Sequence, residues 1–246
     1  MIFIAARLNS NRLKKKVLKP ILGVPMLHRL IERLKSEFSN SDIIVCTSTN
    51  IQDNPIEDFC ILNKFKYFRG DENDVIKRFI KAASFYKTNF IVRVTGDNPF
   101  TDPKMIKYMM NIHKTNKVEY SYNEDMPIGT RAEIINIETL KRIHSQLVDP
   151  SSSEYMTFML KRPDKLKILE ISTPIKECAR PELSLTVDTI DDFKLIEKIF
   201  SHFMCNVTSL ERIIKFLDLN SNLKIIKNQN ESFFSKQKQF LYKNDL

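Results

Sequence analysis

The sequence predicts an α/β fold, an open and mostly parallel sheet with helices on both faces. Three observations carry this prediction. Short apolar runs alternate with longer amphipathic stretches through the first half of the chain. The runs are too short for helices, whereas the stretches between them repeat their apolar residues at helical spacing. Several runs end directly in turn-forming, acidic or cationic residues, as strands do where they reach the carboxyl edge of an open sheet.

The elements follow in order. Ile2–Ala6 reads as a buried strand, and Met26–Ser36 as a helix with Leu27, Leu30, Ile31 and Leu34 on one face. Asp42–Thr47 is a second strand and Pro55–Asn63 a second helix, with Asp53 placed to cap it. Phe65–Phe68 is a short strand. Asp74–Tyr86 is helical, with Val75, Phe79, Ala82 and Ala83 on one side. Asn89–Thr95 is a strand ending in Gly96-Asp97-Asn98-Pro99, and Asp102–Lys114 is a helix with Asp102 as cap and Pro103 in its first turn.

From 118 to 172 the texture changes. Strands are expected at Val118–Tyr122, Glu133–Ile137 and Leu166–Ile171, and helices at Glu138–Leu147 and Tyr155–Lys161. This region is expected to be an inserted subdomain that covers an acceptor or pairs two protomers. Leu183–Val187 reads as the last strand, followed by helices at Ile190–Phe203 and Leu210–Leu217. Residues 1–219 thus form one domain. Residues 220–246 are rich in Lys and Asn, with Phe233, Phe234, Phe240 and Leu241 as anchors for a polar arm or helix.

Composition narrows the function classes. A chain of 246 residues with 42% hydrophobic content can bury one large α/β core. No apolar run approaches the roughly eighteen residues of a membrane span, and no signal-peptide pattern opens the chain. Cys46, Cys60, Cys178 and Cys205 lack metal-binding spacing, which points to a reducing compartment and a cytoplasmic location. The net charge of +9 invites a nucleic-acid partner. No helix-turn-helix, zinc or aromatic-platform pattern accompanies it, so nucleic acid is not expected as the partner.

Three constellations can carry chemistry. In the first, Arg7, Arg12 and Lys16 surround Ser10 directly after the first strand. Arginine forks with a lysine point charge suit a triphosphate, although a solvated basic loop has the same composition, and no Walker-type glycine loop is present. In the second, Asp97 follows a strand and a glycine, where it can hold Mg²⁺ or simply cap a turn. In the third, Asp188 follows Leu185-Thr186-Val187 and can join Asp97 on one metal or cap the next helix, a task Asp191 could take instead. His28, His113, His144 and His202 all fall in helical segments, and none is placed as a general base.

Together the motifs resemble a known family. Ile4-Ala5-Ala6-Arg7, Ser10, Arg12-Leu13, Lys16 and Leu18, then Gly23 and Pro25-Met26, are similar to the cytidylyltransferases of the spore-coat polysaccharide protein F type. CMP-KDO and CMP-sialic acid synthetases resemble the chain more distantly. The resemblance continues in order through Thr47-Ser48-Thr49, Gly70-Asp71-Glu72-Asn73-Asp74-Val75, Arg93-Val94-Thr95-Gly96-Asp97-Asn98-Pro99, Pro127, Gly129, Glu133, Asp149-Pro150, Glu154, Thr157 and Thr186-Val187-Asp188-Thr189. It implies a Rossmann-like nucleotide-diphospho-sugar transferase fold. It also implies Mg²⁺-dependent transfer of CMP from CTP to a small acceptor with release of pyrophosphate, and a homodimer.

Carried over by position, the resemblance assigns Ala5, Ala6, Arg7, Ser10, Arg12, Lys16, Thr47, Asp74, Arg78 and Thr95 to the nucleotide. Asp97 and Asp188 go to the metal, and with Arg12 and Lys16 they form the catalytic set. Glu133, Glu154 and Thr157 lie towards the acceptor; apart from the resemblance, Arg131 beside Glu133 is read as a partner for the acceptor's anion. Two departures stand out: Lys14-Lys15 replaces the family's Pro-Gly, and Tyr155 replaces a usual His. With no histidine placed as a base, an acceptor that is already anionic is expected: a sugar acid, polyol phosphate or phosphonate. Another base specificity and a related glycosyltransferase activity stay open as alternatives.

Overall fold

The structure is a computed structural model that describes residues 1–10, 12–162 and 164–226, without the side chains of Ser152, Glu154 and Tyr155. The expected arm lies outside the described residues beyond Ile226.

The first half follows the expected alternation. It runs β1 (Ile2–Ala5), a small hairpin of β2 (Pro20–Ile21) and β3 (Val24–Pro25), α1 (Met26–Leu34), β4 (Ile43–Ser48), α2 (Asn54–Leu62), β5 (Lys66–Gly70), α3 (Val75–Phe85), β6 (Phe90–Thr95) and α4 (Pro103–Asn116). The second half contributes β7 (Tyr120–Tyr122), β8 (Glu133–Asn136), α5 (Ile137–Gln146), α6 (Met156–Leu160), β9 (Ile168–Glu170), α7 (Ile190–Phe203) and α8 (Leu210–Leu219).

Among the described residues one seven-stranded sheet forms, in the order β5-β4-β1-β6-β8-β7-β9. β5, β4, β1 and β6 are parallel neighbours, whereas β8 runs antiparallel between β6 and β7. The 118–172 stretch therefore extends the central sheet from β6 outward. β1 sits inside the parallel part of the sheet, between β4 and β6, because it is apolar on both faces, as a parallel strand covered from both sides must be. Its alternate residues separate two cores. Ile2 and Ile4 pack with α1, α4, α7 and α8, whereas Phe3 packs with α3, α5 and α6.

Two expectations are corrected. Asp53 does not cap α2: its carboxylate is buried, accepting the Leu8 N–H at 2.7 Å and the Ser48 hydroxyl. It thus ties the start of the basic loop to the end of β4. Leu183–Val187 is not a sheet strand, and only isolated bridges join Ser184 to Ile128 and Leu183 to Ile226. The Ile128 N–H bonds the Leu183 carbonyl at 2.9 Å and the Leu185 N–H the Ile128 carbonyl at 2.7 Å, and the pairing goes no further among the described residues. A Cβ on Gly129, whose φ is +89°, would stand 2.3 Å from the Thr186 nitrogen. Only glycine fits there.

Candidate active site

β1 and β6 are parallel neighbours, with Ala5 opposite Thr95, so the loops that follow them leave the same edge of the sheet. The loop after β1 carries Arg7, Ser10, Arg12 and Lys16, and the turn after β6 carries Asp97. The two meet through a Gly96 N–H bond to the Ala5 carbonyl at 2.8 Å. Gly96 is enclosed, since a Cβ there would lie 3.2 Å from both Ala6 and Val17 side chains.

The third segment is brought in by a main-chain bond from the Val187 N–H to the Asp97 carbonyl at 2.9 Å. Asp188 is not the helix cap. Thr189 caps α7 in a capping box with Asp192, and the Asp192 carboxylate also accepts the Asp188 N–H at 2.9 Å. This leaves the Asp188 side chain to face the basic loop.

Asp97 and Asp188 converge on one cation. Lys16 Nζ donates to Asp97 Oδ2 at 2.7 Å, to Asp188 Oδ1 at 3.1 Å and to the Val187 carbonyl at 2.7 Å. All three ammonium protons are thereby used. Arg12 Nη2 adds a contact to Asp188 Oδ1 at 2.9 Å from a largely exposed side chain. Lys15 takes a left-handed conformation with φ +54°, which sets Lys16 at the start of a short 3₁₀ turn.

These groups line a cavity of about 440 Å³ that extends from the loop over Ala5, Ala6, Val75 and Thr95 to Arg78 and Arg93. Five basic side chains, Arg7, Arg12, Lys16, Arg78 and Arg93, face two acidic ones, Asp97 and Asp188. That surplus of positive charge in a concave site favours a polyanion. Arg78 is 2% exposed and binds the main-chain carbonyls of Asp71 and Glu72, both at 2.9 Å. Burial lowers its pKa below the usual arginine value.

Thr47 and Asp74 are not brought to this cavity. Thr47 is fully buried and its hydroxyl has no partner among the described residues. Asp74 caps α3 through the Lys77 N–H at 2.9 Å, and its carboxylate also meets His144 Nε2 at 2.6 Å and Ser153 Oγ at 3.2 Å. Asp74 thus joins the start of α3 to His144 of α5 and to Ser153.

A second cavity of about 200 Å³ adjoins the first along Arg93 and Thr95. Arg131 and Thr157 line it as expected, together with Asn98, Tyr122 and Lys161. Arg131 Nε donates to the Met126 carbonyl at 2.6 Å, and burial lowers its pKa to about 10. Glu133 also borders the cavity, but its two oxygens are engaged by Arg93 and by the Tyr120 hydroxyl. Although burial opposes ionisation, Arg93, Tyr120 and Thr157 hold the Glu133 pKa below its usual value. The side chain of Glu154 lies outside the described residues.

Arg93 is the residue that sequence reasoning missed. The signal was its position two residues before Thr95, which puts both on one face of β6 just ahead of the turn that carries Asp97. None of the four histidines lines either cavity.

Comparison with known proteins follows the geometry. A cytidylyltransferase of Leptospira borgpetersenii superposes with a TM-score of 0.83 at 28% identity, covering 93% of this chain and 97% of the other. The uncharacterized protein MJ1063 of Methanocaldococcus jannaschii is 34% identical over 91% of this chain and 92% of its own. The spore coat polysaccharide biosynthesis protein SpsF of Bacillus subtilis is 31% identical over 81% of this chain and 85% of its own. The family described as Cytidylyltransferase matches residues 1–245. Matched from its first residue to its last but one, the chain belongs to the cytidylyltransferase family and is a CTP-dependent nucleotidyltransferase.

Proposed function

We propose that the protein transfers CMP from CTP to a small acceptor that already carries an anion, releasing pyrophosphate, and that the reaction needs Mg²⁺. The observation that carries this reading is the convergence of Asp97 and Asp188 on one lysine inside a cationic cavity. The donor set suits a hard divalent ion, because carboxylate oxygens from two distant segments come within 3.1 Å of a single point. No group of three or more His, Cys, Asp or Glu side chains that could hold a metal occurs among the described residues. Two carboxylates completed by nucleotide phosphates and water are the usual Mg²⁺ arrangement. Bound there, Mg²⁺ would neutralise charge on the reacting phosphate.

The chain's own residues do the rest. Arg7, Ser10 and Arg12 hold the triphosphate at the carboxyl edge of β1, with Arg78 adding buried positive charge behind it. Lys16 reaches a phosphate only by giving up one of its three bonds, so it exchanges carboxylate for phosphate as the nucleotide binds. Arg12 and Lys16 then stabilise the charge that grows on departing pyrophosphate. The acceptor oxygen attacks the α-phosphorus from the side of the second cavity, where Arg131 and Thr157 orient it. A phosphate or phosphonate oxygen attacks already ionised and needs no general base, in keeping with two cavities that no histidine lines, whereas a sugar acid attacking through its hydroxyl would need one.

Likeness to a spore coat polysaccharide biosynthesis protein supports a role in surface glycan or glycoconjugate synthesis. Free cysteines among the described residues accord with a cytoplasmic location, and a homodimer through the 118–172 region is the assembly we expect.

The test is a pyrophosphate-release screen with the four nucleoside triphosphates, Mg²⁺ and a panel of sugar acids, polyol phosphates and phosphonates. Release with CTP and an anionic acceptor, abolished by EDTA, is expected. Equal turnover of another triphosphate, or cleavage of nucleotide sugars without pyrophosphate, would overturn it.

A further inference from the structure

Arg93 is placed and supported unlike any other cation of the site. It stands directly opposite Glu133 in the antiparallel pairing of β6 with β8. The pair is largely enclosed, with side-chain exposures of 15% and 12%. Among the described residues Nη1 alone carries the hydrogen bonds, to Glu133 and to Thr157 Oγ1 at 3.1 Å. Glu133 is held in turn by the hydroxyl of fully buried Tyr120. The guanidinium is therefore fixed at one corner by three other residues, from β7, β8 and α6.

The remaining corners are unspent. Nε is buried and has no acceptor among the described residues. Nε and Nη2 present two parallel N–H bonds on one side of the guanidinium, the side that matches a carboxylate or phosphate bidentately. A buried donor left unmet is costly, so a fork held open in this way implies an anion that meets it. Asn98, whose buried Oδ1 likewise has no partner among the described residues, lines the same cavity. Arg93 is also the only basic residue that borders both cavities among those described.

We infer that the Nε–Nη2 edge of Arg93 is the seat of the acceptor's anionic group, and that Glu133 and Tyr120 are positioning residues that aim it. The anion assigned is the acceptor's because Arg93 comes before the turn that carries Asp97 and is braced across β6 towards β8, on the side away from β1 and its basic loop. The residues that brace it line the second cavity. This rests on the transfer reaction proposed above, and it makes Arg93 the residue that selects charged over neutral acceptors.

The experiment uses the full chain and its Arg93→Lys and Arg93→Met variants. Each is titrated calorimetrically with CTP alone, and then with 3-deoxy-manno-octulosonate, glycerol 3-phosphate and 2-aminoethylphosphonate in the presence of a non-reacting CTP analogue. Arg93→Lys keeps the charge beside Glu133 but lacks the fork, so it tests the geometry even if Arg93→Met unfolds. The expected result is that wild type binds at least one probe, that Arg93→Lys weakens it about tenfold or more, and that CTP affinity stays within about twofold.

Unchanged probe affinity in Arg93→Lys overturns the inference. So does loss of CTP affinity with probe binding retained, which would assign Arg93 to the nucleotide. Wild type that binds none of the probes also counts against the seat. A failure of the wider transfer reading is told apart because it shows in wild type, as absence of pyrophosphate release from CTP.

Discussion

At the scale of single residues the site rests on charge placement. Asp97→Asn and Asp188→Asn should each lower Mg²⁺-dependent pyrophosphate release by about a hundredfold or more, while circular dichroism stays unchanged, since each removes a carboxylate from a shared point. Full turnover in either variant removes that residue from the metal's reach. Lys15 offers a stability test. Its left-handed backbone strains a side chain that glycine would relieve, so Lys15→Gly should stabilise the protein by roughly 0.5–1 kcal/mol in urea unfolding. The basic loop and both acids were legible in the sequence because each sits just past an apolar run. The Arg93–Glu133 pair was not, because its partners are 40 positions apart and meet only once β6 and β8 are in register.

At the scale of elements, the start of α7 links stability to chemistry. The Asp192 carboxylate closes the capping box and also accepts the Asp188 N–H. Asp192→Ala should cost about 1–2 kcal/mol of stability and also lower kcat, because the backbone that aims Asp188 loses its anchor. A variant destabilised with unaltered kcat would leave Asp192 as a cap alone. Helices with a regular apolar stripe were readable almost to the residue, as with Ile190–Phe203. Leu183–Val187 misled because its alternation is real but buries against α7, α8 and the 128–129 backbone rather than joining the sheet. Asp53 misled in a similar way. A carboxylate before a helix can cap it, bind a ligand or staple a loop, and the choice depends on distant partners such as Leu8.

At the scale of the whole molecule, pH and salt report on burial and net field. His113 is buried between Ser121 and Asn136, and burial lowers its pKa from the ordinary 6.5. A depressed histidine pKa means the unfolded chain takes up the proton first. Its contribution to stability is therefore whole above about pH 6.5 and is lost as pH falls towards the folded pKa. The urea midpoint should thus drop between pH 7.5 and 5.5, well above the range where Glu119 and Glu133 titrate. A flat midpoint across that interval contradicts the buried neutral ring.

The cationic cavity should likewise make CTP binding weaken as salt rises, measured as KM between low and high ionic strength. The central claim is that acids from two distant segments and the opening basic loop form one metal–nucleotide site. Its most direct test is Mn²⁺ binding followed by electron paramagnetic resonance in the presence of CTP. Wild type should take up the ion, and Asp97→Asn and Asp188→Asn should each lose that uptake. Undiminished Mn²⁺ binding in both variants would contradict the account.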